Sequence, residues 1–145
     1  MNHQASIFSF LNEQSCATIC CVNEQGLPHC FNCYYTFNEE HTLIYFKSSP
    51  DSSHSTTLKT NPVIAGCILP DKLHKLVVQG IQFEGRILYE EDQLAKDASL
   101  IYHKHNPLAL AKAGHVWTIQ INSIKMTDST LGFGKKIVWE RDVLS

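Results

Sequence analysis

Two stretches of this chain carry residue types suited to holding an anion. The first is SSPDSSHSTTLKTNP, residues 48–62. Ser52 or Ser53 is placed to N-cap a short helix, which Asn61-Pro62 then stops. A serine-rich helix start offers unpaired backbone N–H groups, hydroxyls and the positive end of a helix dipole, which together make a generic anion site. The other reading is an N-cap and nothing more, which is what most serine-rich caps are.

The second stretch is TLGFGKKIVW, residues 130–139. A Walker A loop needs G-x-x-x-x-G-K-[S/T] and a helix behind it. Here Gly132 and Gly134 are too close, and Lys136 stands where the magnesium-binding Ser or Thr belongs. Ile137, Val138 and Trp139 favour a strand, which excludes the dinucleotide-binding fingerprint as well. What remains is a Gly-x-Gly turn into a strand with Lys135 and Lys136 at its exit. Such a turn either cradles an anion or only reverses the chain.

The cysteines are Cys16, Cys20, Cys21, Cys30, Cys33 and Cys67. The N-terminus has no basic run and carries Glu13 too early for a secretory signal, so reduced, buried thiols in a cytoplasmic protein are expected. CFNC matches C-x-x-C, but it lies in a strand-like run rather than opening a helix. Residues three apart on a strand point to opposite faces, which disfavours a redox or zinc pair at Cys30 and Cys33. His103-x-His105 reads as a solvated helix end before Asn106-Pro107 rather than a metal site, and no metal is expected.

The chain has 145 residues, 43% of them hydrophobic, and a formal net charge of −2. One domain spanning 1–145 follows, large enough to bury ~70% of its unfolded surface. The absence of a basic run argues against nucleic acid as a partner, and the longest apolar stretches are too short to span a membrane.

The elements that must position these residues follow from periodicity. Ile7, Phe8 and Leu11 share a face of a short helix over 3–13. Strands are expected at 16–22, 27–37, 42–47, 63–69, 76–88, 115–121, 123–127 and 136–141. In the second of these the odd positions, Leu27 to Phe37, form one face, and Asn32 lies on the other. Gln79 falls on the apolar face of the long strand, where its amide needs partners, unless Gly80 forms a bulge. The acidic start and basic end of 90–105 predict the longest helix, with a short one over 108–114 closed by Gly114. Roughly seven or eight short strands without βαβ alternation predict a mainly β fold, an antiparallel barrel with helical insertions.

This order of elements resembles the split-barrel FMN-binding superfamily, the pyridoxine 5′-phosphate oxidase-like fold. The resemblance runs through ATICCVNEQGLPH, LIYFKSSPDSSHSTTLKTNPVIAG and VVQGIQFEGRI. Within that superfamily the chain is most similar to the YhbP family, through GIQFEG and above all IKMTDSTLGFGKKIVWERD. The similarity covers roughly residues 5–142.

The resemblance implies a Greek-key split barrel that dimerises with itself and holds FMN at the subunit interface. It implies a small flavin-dependent oxidoreductase acting on a small-molecule substrate or an electron donor such as NAD(P)H. The alternative is a binder of flavin, or of another planar cofactor such as haem, without turnover. The flavin phosphate maps to Ser48, Ser49, Ser52, Ser53 and His54, and the ring system to Asn32, its neighbours and Gln79. Pyridoxine-phosphate oxidases carry Ser-Arg-Lys where this chain has Ser52-Ser53-His54, and YhbP-like proteins tend to keep an arginine where Ser53 stands. The arginine and lysine expected along strand two are Phe31 and Thr36. Serine supplies no charge to a phosphate dianion, so Lys47, Lys135 and Lys136 become the available cations. No general acid or base stands out; Tyr34, Tyr35 and His29 fit a pocket lining or strand packing equally.

Overall fold

The computed structural model describes residues 3–132 and 134–142. Its elements are α1 (His3–Glu13), β1 (Cys16–Val22), β2 (Pro28–Asn38), β3 (Leu43–Ser48), α2 (Ser53–Thr60), β4 (Val63–Ile68), β5 (Gln79–Leu88), α3 (Ala98–His105), β6 (His115–Asp128) and β7 (Lys136–Glu140). The strands form one antiparallel sheet in the order β3-β2-β1-β4-β5-β6-β7. A further pairing of β3 with β6 closes β1 to β6 into a barrel, and β7 is an extra strand on β6.

The closed barrel follows from alternation along each strand. Phe31, Cys33, Tyr35 and Phe37 of β2 turn inward, onto a core that includes Ile19, Phe46, Phe83, Ile119 and Ile121. Each such fully buried aliphatic side chain contributes about 1.5–3 kcal/mol. β3 is apolar on both faces. Ile44 and Phe46 enter the barrel, while Leu43 and Tyr45 form a second cluster outside it with Leu88, Val116 and Tyr102 of α3. α1 buries Ile7, Phe8, Phe10 and Leu11, and α2 sends Leu58 into the core.

Residues 115–128 form one long strand rather than two. A bulge joins the halves, because Glu84 pairs with Ser123 and Gly85 with Ile121, leaving Asn122 unmatched. At this point the free edge of β6 changes partner. His115–Gln120 pair with β3, and Ser123–Thr127 pair with β7. Gly85 lets the strands approach there, since a Cβ would run into the carbonyl oxygen of Gln120. Arg141 fastens the junction: Nε donates to Ile121 O at 2.8 Å and Nη2 to His41 O and Thr42 O, each at 2.9 Å.

Other differences are local. Gly80 pairs in regular register with Thr127, so the bulge left open there does not form, and β5 begins at Gln79 instead of residue 76. The helix expected over 90–105 is divided into a 3-10 turn, Gln93–Ala95, and α3. Asp92 causes the division by capping the turn, its carboxylate accepting from Leu94 N at 2.9 Å. The helix expected over 108–114 is a 3-10 segment, Pro107–Ala111.

Candidate functional site

Ser52 is the N-cap of α2, with extended backbone at φ −69° and ψ 151°, and its Oγ accepts from Ser55 N. The cap belongs to a larger network. Ser52 Oγ donates to Ser49 O at 2.9 Å, and Ser55 Oγ donates to the same carbonyl at 2.8 Å. Ser48 Oγ lies 3.0 Å from Ser55 Oγ and accepts from the indole N–H of Trp117 at 3.1 Å. Ser55, fully buried, is the hub.

The first turn of any α-helix has N–H groups without intrahelical partners. In α2, Ser52 N donates to Ser49 O and Ser55 N to Ser52 Oγ. The amides of Ser53 and His54 remain available at the positive end of the helix.

A flat aromatic ledge adjoins this end. The His54 and Phe31 rings stack with centroids 3.8 Å apart and planes 10° apart. His29 extends the ledge 6.4 Å from His54, tilted by 17°. His54 Nε2 lies 3.1 Å from Ser52 Oγ, which ties ledge and network together. Burial, followed by the neighbouring His29, lowers the pKa of His54 below its ordinary value. At neutral pH His54 is therefore a hydrogen-bonding plane and not a cation.

The structure brings Ser48, Ser49, Ser52, Ser53 and His54 together at the end of β3 and the start of α2. Lys47 points elsewhere, because successive strand residues alternate faces. Its Nζ donates to Ala109 O at 2.8 Å and lies 2.9 Å from His103 Nε2, anchoring α3 and the segment after it. His103 and His105 do not converge; each Nδ1 lies against a carbonyl of its own helix, Ser99 O and Ile101 O.

Asn32 lies on the outer face of β2, its Oδ1 accepting from Thr18 Oγ1 at 2.8 Å. Gln79 pairs with Asp128 at the distal end of β6, and Lys136 with Thr127. Gly132 and Gly134 take positive φ, 137° and 70°, and Lys135 N donates to Gly132 O, so the β6–β7 connection is a glycine turn. Phe133 lies outside the described residues. Ser48 faces His115 at the other end of β6, roughly 40 Å of curved strand path from Thr127 at ~3.3 Å per residue. Gln79 and Lys136 thus pair at the end of β6 opposite to the one that faces Ser48.

Tyr35 is buried, its hydroxyl donating to Leu11 O at 2.7 Å, whereas Tyr34 is exposed. Sequence reasoning missed Ser55 and the stack of Phe31 on His54. Nothing local marks either, since Ser55 acts through Ser48 and Ser49, and the stack depends on where α2 settles over β2.

A cavity of about 630 Å³ adjoins the other flank of α2, with Ser55, Lys59, Tyr89, His115 and Trp117 among its walls. Its rim also carries Glu90 and Glu91, which oppose an anion there. The loop ahead of α2 carries one carboxylate, the exposed Asp51, whose amide donates to Ser49 Oγ at 3.3 Å.

Known structures define the class. The chain superposes on a haem-binding protein from Mycobacterium smegmatis with a TM-score of 0.80 at 12% identity, covering 97% of this chain and 58% of that one. An FAD-binding protein from Mesorhizobium loti gives 0.67 at 14% identity, covering 86% and 93%. A protein from Listeria innocua named for pyridoxamine 5′-phosphate oxidase gives 0.62 at 15%, covering 85% and 96%. The fold is the split barrel of the pyridoxamine 5′-phosphate oxidase-like proteins.

Sequence relatives narrow this further. A UPF0306 protein of Photorhabdus laumondii is 35% identical over 135 residues, 93% of this chain and 94% of the relative. The UPF0306 protein YhbP of Escherichia coli is 34% identical over 124 residues, covering 83% and 86%. The chain belongs to the UPF0306 (YhbP) family. No protein-family model matches it.

Proposed function

We propose that this protein binds FMN at the start of α2 and acts as a small flavin-dependent oxidoreductase, paired with a second copy of itself. One observation carries the reading: two unspent amides, Ser53 and His54, open beside a serine network and a flat ledge of His29, Phe31 and His54. Free amides and hydroxyls suit a phosphate, and stacked rings suit a planar group.

The residues present fit such a cofactor in hydrogen-bonding capacity. They add no side-chain cation, because His54 is held neutral and Lys47 is engaged with α3. Lys135 and Lys136 of the second copy would supply the missing charge, which is the reason for a dimer in this reading. The bound flavin would supply hydride or electron transfer, with a donor such as NAD(P)H. Ser53 and His54 would hold the phosphate, Ser55 would fix the loop, and the ledge would orient the ring.

A second reading is haem binding without turnover. The exposed imidazole of His29 favours it, being a potential axial ligand at the open edge of the ledge.

The test is the visible spectrum of the purified protein before and after adding excess FMN and desalting. Retained bands near ~375 and ~450 nm establish flavin binding, and reduction by NAD(P)H then establishes turnover. A protein that releases FMN but retains haemin, with a sharp absorption band lost on His29→Ala, establishes the second reading instead.

A further inference from the structure

Cys20 and Cys30 are directly opposite one another on the antiparallel strands β1 and β2. Their sulfurs are 2.8 Å apart on the outer face of the barrel. Directly opposed residues of such a pair have Cα atoms about 4.5–5.5 Å apart, inside the range of about 4.4–6.8 Å that a disulfide bridges. No other pair of thiols is so placed among the described residues. Cys33, the other half of the C-x-x-C match, packs inward against the core, and burial pushes its thiol up to about 12. Cys21 is buried and donates weakly to His29 O at 3.6 Å. Cys67 is exposed on β4, opposite Thr18 rather than Cys20.

We propose that Cys20 and Cys30 are a reversible thiol–disulfide couple, a modification site for hydrogen peroxide that is separate from the α2 site. Cys30 is the exposed member and meets the oxidant first. Its thiolate attacks a peroxide oxygen, the O–O bond breaks, and the sulfur becomes a sulfenic acid while hydroxide leaves and takes up a proton as water. Cys20 then attacks the sulfenic sulfur; the S–S bond forms, the S–O bond breaks, and the hydroxide leaves with the Cys20 proton as a second water. Two electrons pass from the thiols to the peroxide.

Cys20 suits the resolving role. The hydrogen bond with Cys30, ahead of burial, pushes its thiol up to about 11, so it holds its proton until the partner is oxidised. Register already aligns the two β-carbons, so closure requires only side-chain rotation.

The full chain, reduced and then treated with a small excess of hydrogen peroxide, is alkylated at low pH and cleaved after glutamate. Glu24 separates Cys20 from Cys30, so a bridge links two peptides. The expected product is a monomer carrying four alkyl labels where the reduced chain carries six, with those peptides joined and dithiothreitol releasing them. Cys20→Ser and Cys30→Ser each abolish the link, and the alanine variants serve if serine prevents folding. Cys67→Ser retains it. Six thiols that stay reduced would overturn the proposal, as would over-oxidation of Cys30 without a link or a link that survives Cys20→Ser.

Discussion

His54 stacks on Phe31 with ring centroids 3.8 Å apart, joining the helix that caps the barrel to the strand behind it. Phe31 in turn touches Phe46 in the core, with centroids 5.5 Å apart. The candidate phosphate site is thereby braced by the hydrophobic interior, and not only by its own hydroxyls.

This stack makes stability pH-dependent. Free histidine takes up its proton near pH 6.5, whereas burial lowers the pKa of His54 in the folded chain. Between those two values the unfolded chain binds more protons, so stability falls as pH falls. We expect the thermal midpoint to drop between about pH 7.5 and about pH 5.5, and to drop less in His54→Phe. Equal slopes in the two proteins would assign the dependence to other groups.

Ser55 organises the loop ahead of α2 from a fully buried position, through bonds to Ser48, Ser49 and Ser52, which are part-buried or exposed. Ser55→Ala removes the hydroxyl that joins Ser48, Ser49 and Ser52 and should cost about 0.5–1.5 kcal/mol in urea unfolding. Retention of FMN should fall with it. Ser53→Ala keeps its backbone amide and should leave stability within about 0.5 kcal/mol.

The Lys135–Lys136 pair and Lys47 separate a ligand role from a structural one. Lys135→Ala should weaken FMN binding more than Lys75→Ala, a change in the loop before β5. Fluorescence titration reads both. Equal affinities would return GFGKK to the status of a turn. Lys47→Met should instead loosen α3, seen as faster amide exchange over Ala98–His105.

Gly66 faces Phe83 across β4 and β5, and a Cβ on Gly66 would enter the phenyl ring. Gly66→Ala should destabilise the barrel by about 1–3 kcal/mol through overpacking. Phe83→Leu opens space, so the double variant should lose less than the sum of the single changes. Additive losses would show that the strand backbone, and not the ring, sets the limit.

Much of the site was legible in the chain. The cap at Ser52 is a local event, in which one side chain meets an amide three residues on, so the serine cluster and Asn61-Pro62 announce it. The inward face of β2 was equally plain, because residues two apart on a strand share a side whatever lies across from them. The long helix was misjudged because Asp92 binds a nearer amide, which composition and charge do not show.

Local periodicity, caps and turns determine which face of each element is apolar and where elements begin and end. They carried the β-rich class, the order of elements, the serine-capped helix start and the opposition of Cys30 and Cys33. Which strand lies beside which is a matter of register between distant segments, and that only the closed barrel decided. It turned Lys47 toward Ala109, set Cys20 against Cys30, let β6 exchange β3 for β7 at Asn122, and put Lys136 and Ser48 at opposite ends of β6. The physical reason is that a side chain's direction is fixed by its own backbone, while its partner is fixed by the packing of the whole core.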